Sequence, residues 1–339
     1  MKTFYLFKRF IITVIQTVIF SRSDAAVESK YKIVIDNDGG ADDAVAVFLA
    51  LLFEKYYNGP KVLSLTTTHG NVLEDQCAIN NQKFLKISDR QDVPIYRGAT
   101  ESLVDPILPT GDYFGSDGLG DSNETFTNLV PPKDGFAVNK LIEYSKLYEG
   151  ELIVIAIGPL TNIALAMKSD TSFLSRLKHL YVGGGNIKGE LHMEPEFNAK
   201  MDVEAFRVVM NNATSNIVTV LPFSQTEIFL NISKEWRENV FGAINTEIVR
   251  QLNIFERIAL KNSDMWYGLD PALMACVLNE DLVSEIKYSK QNIELCGKER
   301  GITDNKFVVD PKDANIRLFY SVDKEAYKKF LYEVFSADI

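Results

Sequence analysis

At 339 residues, 46% hydrophobic and 24% charged, the chain can bury a sizeable core, and its three cysteines rule out a disulfide framework. A net charge of −10 argues against binding nucleic acid or an anionic membrane, since both need clustered Lys and Arg. Cys77, Cys276 and Cys296 cannot all pair within one chain; a Cys276–Cys296 bridge is open, and Cys77 fits a buried thiol as well.

Met1 to Ala25 stands apart. Lys2, Lys8 and Arg9 precede an apolar run from Phe10 to Phe20, and Ser23-Asp24-Ala25 offers a small-x-small cleavage site. This reads as a secretory signal peptide, its apolar run too short to span a bilayer comfortably. Residues 26–339 are then one mature domain, and losing four basic residues and one acid takes the charge from −10 to −13. Sequons at Asn123, Asn212 and Asn231 fit an extracellular glycoprotein.

Ile33-Val34-Ile35 is a β-branched run typical of a buried parallel strand. Asp36, Asp38, Asp42 and Asp43 follow within eight residues, separated by Asn37, Gly39, Gly40 and Ala41. From Ala44 the pattern turns helical, with Val47, Phe48 and Leu51 on one face. Four carboxylates therefore collect at the C-terminal end of a strand, where open α/β sheets place ligands. Turn-shaping and helix capping account for one such Asp. The whole set repels itself at low dielectric and calls for a hard cation; Ca²⁺ suits it, with Mg²⁺ the alternative.

Asp36-Asn37-Asp38-Gly39-Gly40-Ala41-Asp42-Asp43 resembles the N-terminal signature of the nucleoside hydrolases, D-x-D-P-G-x-D-D, with Gly39 in the place of proline as in the family's purine-specific branch. Its first four residues also resemble dehalogenase-type phosphatases, where Thr or Val stands in the place of Gly40. Further matches follow in family order. Val62 to Thr68 reads as a strand entering His69-Gly70-Asn71, similar to the T-T-x-x-G-N segment, and a helix runs from about Glu74 to Ser88. Val93 to Gly98 is a short strand before an irregular stretch from Ala99 to Pro132, in which Gly115 to Gly120 resembles an element near the nucleobase. Phe114, with Tyr113 beside it, stands just before Gly115 where relatives of broader specificity carry His, and an aromatic lid over the base competes there with plain loop packing.

Glu151 to Ile157 is a buried strand, and Gly158-Pro159-Leu160-Thr161-Asn162 matches the G-[GP]-L-T-N turn. His179 to Val182 is another strand, ending in Gly183-Gly184-Gly185-Asn186 without the Lys-Ser/Thr of a phosphate-binding loop. Glu196-Phe197-Asn198 matches E-[FW]-N, and an extended segment would turn both polar side chains to one ligand. The preceding Gly-Asn of relatives is Gly189-Glu190 here, so Glu190, Asn186 or His192 is left to meet the 5′-hydroxyl. Asn216 to Leu221 reads as a strand, Thr246 to Asn262 as one helix, Lys306 to Asp310 and Ile316 to Val322 as late strands, and Asp323 to Phe335 as a closing helix. Asp270-Pro271 resembles D-P-[LA]-A at a helix start, but Leu269 stands where relatives have His or Trp; Trp266 and Tyr267 lie nearby.

The resemblance implies a single, mostly parallel open sheet with helices on both faces, and a metal-dependent hydrolase releasing base from ribonucleosides. It implies Asp38, Asp43, Asp270 and the Ile157 carbonyl as metal ligands, and Asp38 as the base toward a metal-bound water. Asp42, Asn71, Glu196 and Asn198 would hold ribose, and Asp36 would orient its neighbours. Stacking by Phe114, Trp266 or Tyr267 would favour purines. Rival expectations are a nucleoside binder without turnover, motivated by Leu269 and Glu190, and a dehalogenase-type phosphatase. Many relatives are dimers or tetramers, although no interface signal is evident in this sequence.

Overall fold

Alternation along one buried strand sets the architecture. Ile33 and Ile35 of β1 (Lys32–Asn37) enter one core and Val34 enters another, so the strand is covered on both sides. The computed structural model describes residues 30–104, 112–122, 124–191 and 193–338. The expected leader at 1–25, the sequon at Asn123 and His192 lie outside the described residues.

From β1 the chain runs through α1 (Ala41–Tyr57), β2 (Lys61–Thr67), α2 (Glu74–Ile87) and the two-residue β3 (Ile95–Tyr96). It continues through α3 (Ala137–Leu147), β4 (Leu152–Ala156), α4 (Thr161–Ser169), the single turn α5 (Phe173–Arg176) and β5 (His179–Gly183). Then come α6 (Phe197–Met201), α7 (Val203–Asn212), β6 (Val218–Leu221), α8 (Phe223–Phe229), β7 (Ile232–Ser233) and α9 (Lys234–Trp236). A π-helical turn at Arg237–Phe241 precedes α10 (Glu247–Phe255), α11 (Arg257–Asn262), β8 (Met265–Trp266) and α12 (Leu269–Leu278). The chain closes with β9 (Val283–Ile293), β10 (Thr303–Val308), β11 (Ile316–Val322) and α13 (Lys324–Ser336).

Nine strands form one sheet in the order β10-β9-β11-β6-β5-β4-β1-β2-β3. Within this sheet every pair from β11 to β3 is parallel and β9 pairs antiparallel with β10 and β11; β7 and β8 form a separate antiparallel pair. Apolar residues of α1, α10, α12 and α13 cover one face, and those of α3, α4 and α7 the other. Among the described residues no helix is long and apolar enough to cross a membrane.

Several boundaries differ from expectation. The run from Thr246 to Asn262 breaks at Glu256, which ends α10 and begins α11. Strand pairing at Val93–Gly98 shrinks to Ile95 and Tyr96. The eleven-residue β9 was not expected, because Glu285, Lys287 and Lys290, spread over both its faces, break any apolar run. Cys276 is buried in α12 and Cys296 is exposed; both are free thiols, as is buried Cys77.

Candidate active site

The carboxyl ends of β1, β2, β4 and β5 meet at one edge of the sheet, and the acidic turn between β1 and α1 lies there. Gly39 has φ +79°, and a Cβ on it would stand 2.8 Å from the Cys77 Cα on α2. Proline, fixed near φ −65°, cannot take this conformation, which accounts for the departure from the family's D-P-G. Asp43 lies in the first turn of α1 and accepts from the Gly40 N–H at 2.8 Å and the Asp38 N–H at 3.2 Å. Asp38 in turn accepts from Asn71 twice, from its N–H at 2.7 Å and from its Nδ2 at 3.0 Å. Asn71 Nδ2 also reaches Asp43 at 3.3 Å, so one amide bridges the two carboxylates. Helix α2 starts at Glu74 with Leu73 at its cap, so capping is not the role of Asn71.

Asp42, Asp43 and Asp270 bring carboxylate oxygens within 4.8 Å of one another. Burial and mutual repulsion push all three well above the usual carboxylate range, and Asp38 is pushed up to about 7, chiefly by burial. Asp42 Oδ1 is buried without a partner. Unpaired acids this deep are costly unless a cation joins them, so the donor set fits a hard divalent ion. Among the described residues this triple contains Asp42, whereas the sequence places Asp38 in the cage and Asp42 on ribose; Asp38 adjoins it, its N–H donating to Asp43 Oδ1.

Asp36 is fully buried and accepts from Thr66 Oγ1 at 2.5 Å and Asn162 Nδ2 at 2.9 Å. Asn162 also accepts from the Ala99 N–H, so Asp36 anchors the strand ends behind the site. Asn198 Nδ2 donates to the Ile157 carbonyl at 3.0 Å and to the Gly183 carbonyl at 3.1 Å. Glu196 is itself extended, but the chain turns helical from Phe197, so the expected extended segment ends there. Glu196 caps α6, accepting from the N–H groups of Gly185, Asn198 and Ala199. Asn186 braces the fold: its Oδ1 accepts from the Ser224 N–H, and its backbone exchanges hydrogen bonds with Thr303. Glu190 is exposed and takes hydrogen bonds from Gln225 and from Tyr320 Oη.

Two aromatic expectations meet a packed interior. Trp266 is buried, with Phe241 stacked at 6.1 Å and Trp236 at 6.4 Å, and its Nε1 donates to Glu256 at 2.5 Å. Its rings and its one donor are therefore spent on the core, which corrects its placement on the base. Phe114 is also buried, edge-on to Tyr113 at 4.7 Å. The groups that pattern reading missed are buried polar residues. Asn80 donates to the carbonyls of Gly39 and Asp117, both at 2.8 Å, tying the acidic turn to the loop that carries Tyr113. His69, Thr161 and Asp202 form a hydrogen-bonded chain behind Asn71. Arg237, wholly buried, pairs with Glu256 under Trp266. Asp202 also caps α7 through the Ala205 N–H, as its place before a helix leads one to expect, but the long-range partners of these groups leave no local pattern.

Comparison with known proteins agrees with this geometry. Residues 33–329 match the family model described as inosine-uridine preferring nucleoside hydrolase. A probable uridine nucleosidase of Arabidopsis thaliana is 30% identical over 82% of this chain and 86% of its own. An inosine-uridine preferring nucleoside hydrolase of Leishmania major is 27% identical over 88% of this chain and 94% of its own. Among solved structures, a plant nucleoside hydrolase superposes with a TM-score of 0.80 at 25% identity, covering 91% of this chain and 99% of that one. The chain belongs to the nucleoside hydrolase family, whose members hydrolyse N-glycosyl bonds.

Proposed function

We propose that this chain is a metal-dependent ribonucleoside N-ribohydrolase, secreted after loss of residues 1–25, with Ca²⁺ as its ion. The observation that carries the reading is the buried cluster of Asp42, Asp43 and Asp270 beside an Asn71-oriented Asp38. Asp43, Asp270, Asp38 and the Ile157 carbonyl would hold the ion, with Asp42 available to it or to the ribose hydroxyls. When bound, such an ion offsets the crowded negative charge and makes nearby water more acidic.

The protein's own groups divide the remaining work. Asp38, held by two donors from Asn71, is the acceptor for the proton that the attacking water loses. The crowded carboxylates favour the positive charge that develops on ribose as the glycosidic bond lengthens. Asn198 fixes the Ile157 carbonyl from behind. With Trp266 in the core, purine preference rests on Tyr113 and Tyr267. A second reading, turnover of uridine at least as fast as inosine, is favoured by the Arabidopsis relative named for uridine.

The test is base release from inosine, adenosine, guanosine and uridine by protein recovered from a secretory host. Release from at least one nucleoside is expected, and the inosine-to-uridine ratio decides the preference. Tight nucleoside binding without release would replace the enzyme by a binder. Phosphate release from a simple ester would indicate a phosphatase instead. Sequencing the N-terminus of the secreted protein checks the leader.

A further inference from the structure

The departing base needs a group that stabilises its negative charge, and neither Leu269 nor core-bound Trp266 supplies one. Two tyrosines, Tyr113 and Tyr267, are carried on segments that flank the acidic cluster. Tyr113 is 47% exposed, its ring edge-on to Phe114 at 4.7 Å, and burial of its phenol, with Asp42 the foremost neighbouring charge, raises its pKa. Its loop is fixed to the acidic turn by Asn80, whose single Nδ2 meets the carbonyls of Gly39 and Asp117. On the other side Arg257 donates to the carbonyls of Gly120 and Asp121, and the Gly120 N–H closes on the Phe114 carbonyl at 2.7 Å. A Cβ on Gly118 would stand 3.2 Å from the Gly39 carbonyl, so the loop lies directly on the turn. Tyr267 faces from three residues before Asp270, its ring edge-on to Phe223 at 6.4 Å.

We propose that the Tyr113 hydroxyl is the hydrogen-bond donor to the departing nucleobase, an inference that rests on the hydrolase reading above. As the C1′–N bond breaks, its electron pair passes to the base, and the water oxygen bonds to C1′. The proton lost by that water goes to Asp38 and from there to solvent, the departed base takes one from solvent, and Tyr113 keeps its own while steadying the negative charge. Burial and the surrounding carboxylates hold the phenol up to about 12, so it remains a donor throughout the neutral range. This role needs the hydroxyl, whereas a stacking lid needs only the ring.

Tyr113→Phe separates the two on inosine, uridine and p-nitrophenyl β-ribofuranoside, whose leaving group departs without help. A hydrogen bond to a charged group is worth roughly 1.5–3 kcal/mol, so kcat on the nucleosides should fall roughly 10- to 100-fold. The loss on the nitrophenyl substrate should be smaller by roughly tenfold or more. Equal losses on all three substrates, or no loss on the nucleosides, would overturn the donor role while leaving the hydrolase intact. A wild-type protein inactive on every substrate would overturn the hydrolase reading and the donor with it.

Discussion

The side-chain amide of Asn198 donates to the main-chain carbonyl of Ile157 at 3.0 Å, joining α6 to the carboxyl end of β4. The same nitrogen holds the Gly183 carbonyl at 3.1 Å, so one buried donor sets the direction of two strand ends. Asn198→Asp keeps the size and replaces that donor by an acceptor facing two carbonyls. Outer contacts of this kind typically change metal affinity roughly 10- to 100-fold. Calcium titration followed by calorimetry should show weakening in that range. Unchanged affinity would remove the Ile157 carbonyl from the proposed cage.

Gly70 presses against Asp38. A Cβ there would stand 1.9 Å from Asp38 Oδ2, closer than any real contact. Gly70→Ala must therefore turn the Asp38 carboxylate away from Asn71 or move the loop. The expected result is a folded protein destabilised by roughly 1–3 kcal/mol, with kcat down by roughly 100-fold. Thermal melts and steady-state kinetics check the two parts separately.

Stability without metal should depend on pH with a definite sign. Burial raises Asp36 to about 6 and Asp38 to about 7 from 3.8. Between the unfolded and folded values the native state binds more protons than the unfolded chain, so stability falls as pH rises through that window. His69 acts oppositely: burial lowers it to about 4 from 6.5, and stability is lost as pH falls between those values. Burial lowers His179 likewise, to about 3; with Asp42, Asp43 and Asp270 also raised, the carboxylates outweigh the two histidines. In chelator, Tm at about pH 8 should lie several degrees below Tm at about pH 5.5, and excess calcium should abolish the difference.

Trp266→Phe tests the correction made at the base end. The variant loses the hydrogen bond to Glu256, which remains paired with Arg237. A destabilisation of roughly 1–3 kcal/mol is expected, with the inosine-to-uridine ratio unchanged. A selective fall on inosine would return Trp266 to the base.

How much could be read without coordinates follows from where the information lies. Ile33 to Ile35 and Glu151 to Ile157 announced their strands because both faces are buried and the apolar run is unbroken. The acidic turn was legible because its carboxylates are adjacent in sequence. Glu256, by contrast, is a helix-compatible residue within a pattern that continues through Asn262, and nothing local marks it as the point where α10 gives way to α11. Glu196 and Trp266 had the right residue types nearby, but pattern cannot tell a ligand contact from a helix cap or a core ring.

The most direct measurement is kcat on inosine and uridine for Asp38→Asn beside wild type, both saturated with calcium and matched by thermal melt. The substitution keeps the side chain's size while removing the proton acceptor held by Asn71. Loss of the acceptor is expected to lower kcat by roughly 100-fold or more at unchanged Tm, with wild-type release abolished by chelator. Turnover within tenfold of wild type in a folded variant would contradict the role given to Asp38 and the mechanism built on it.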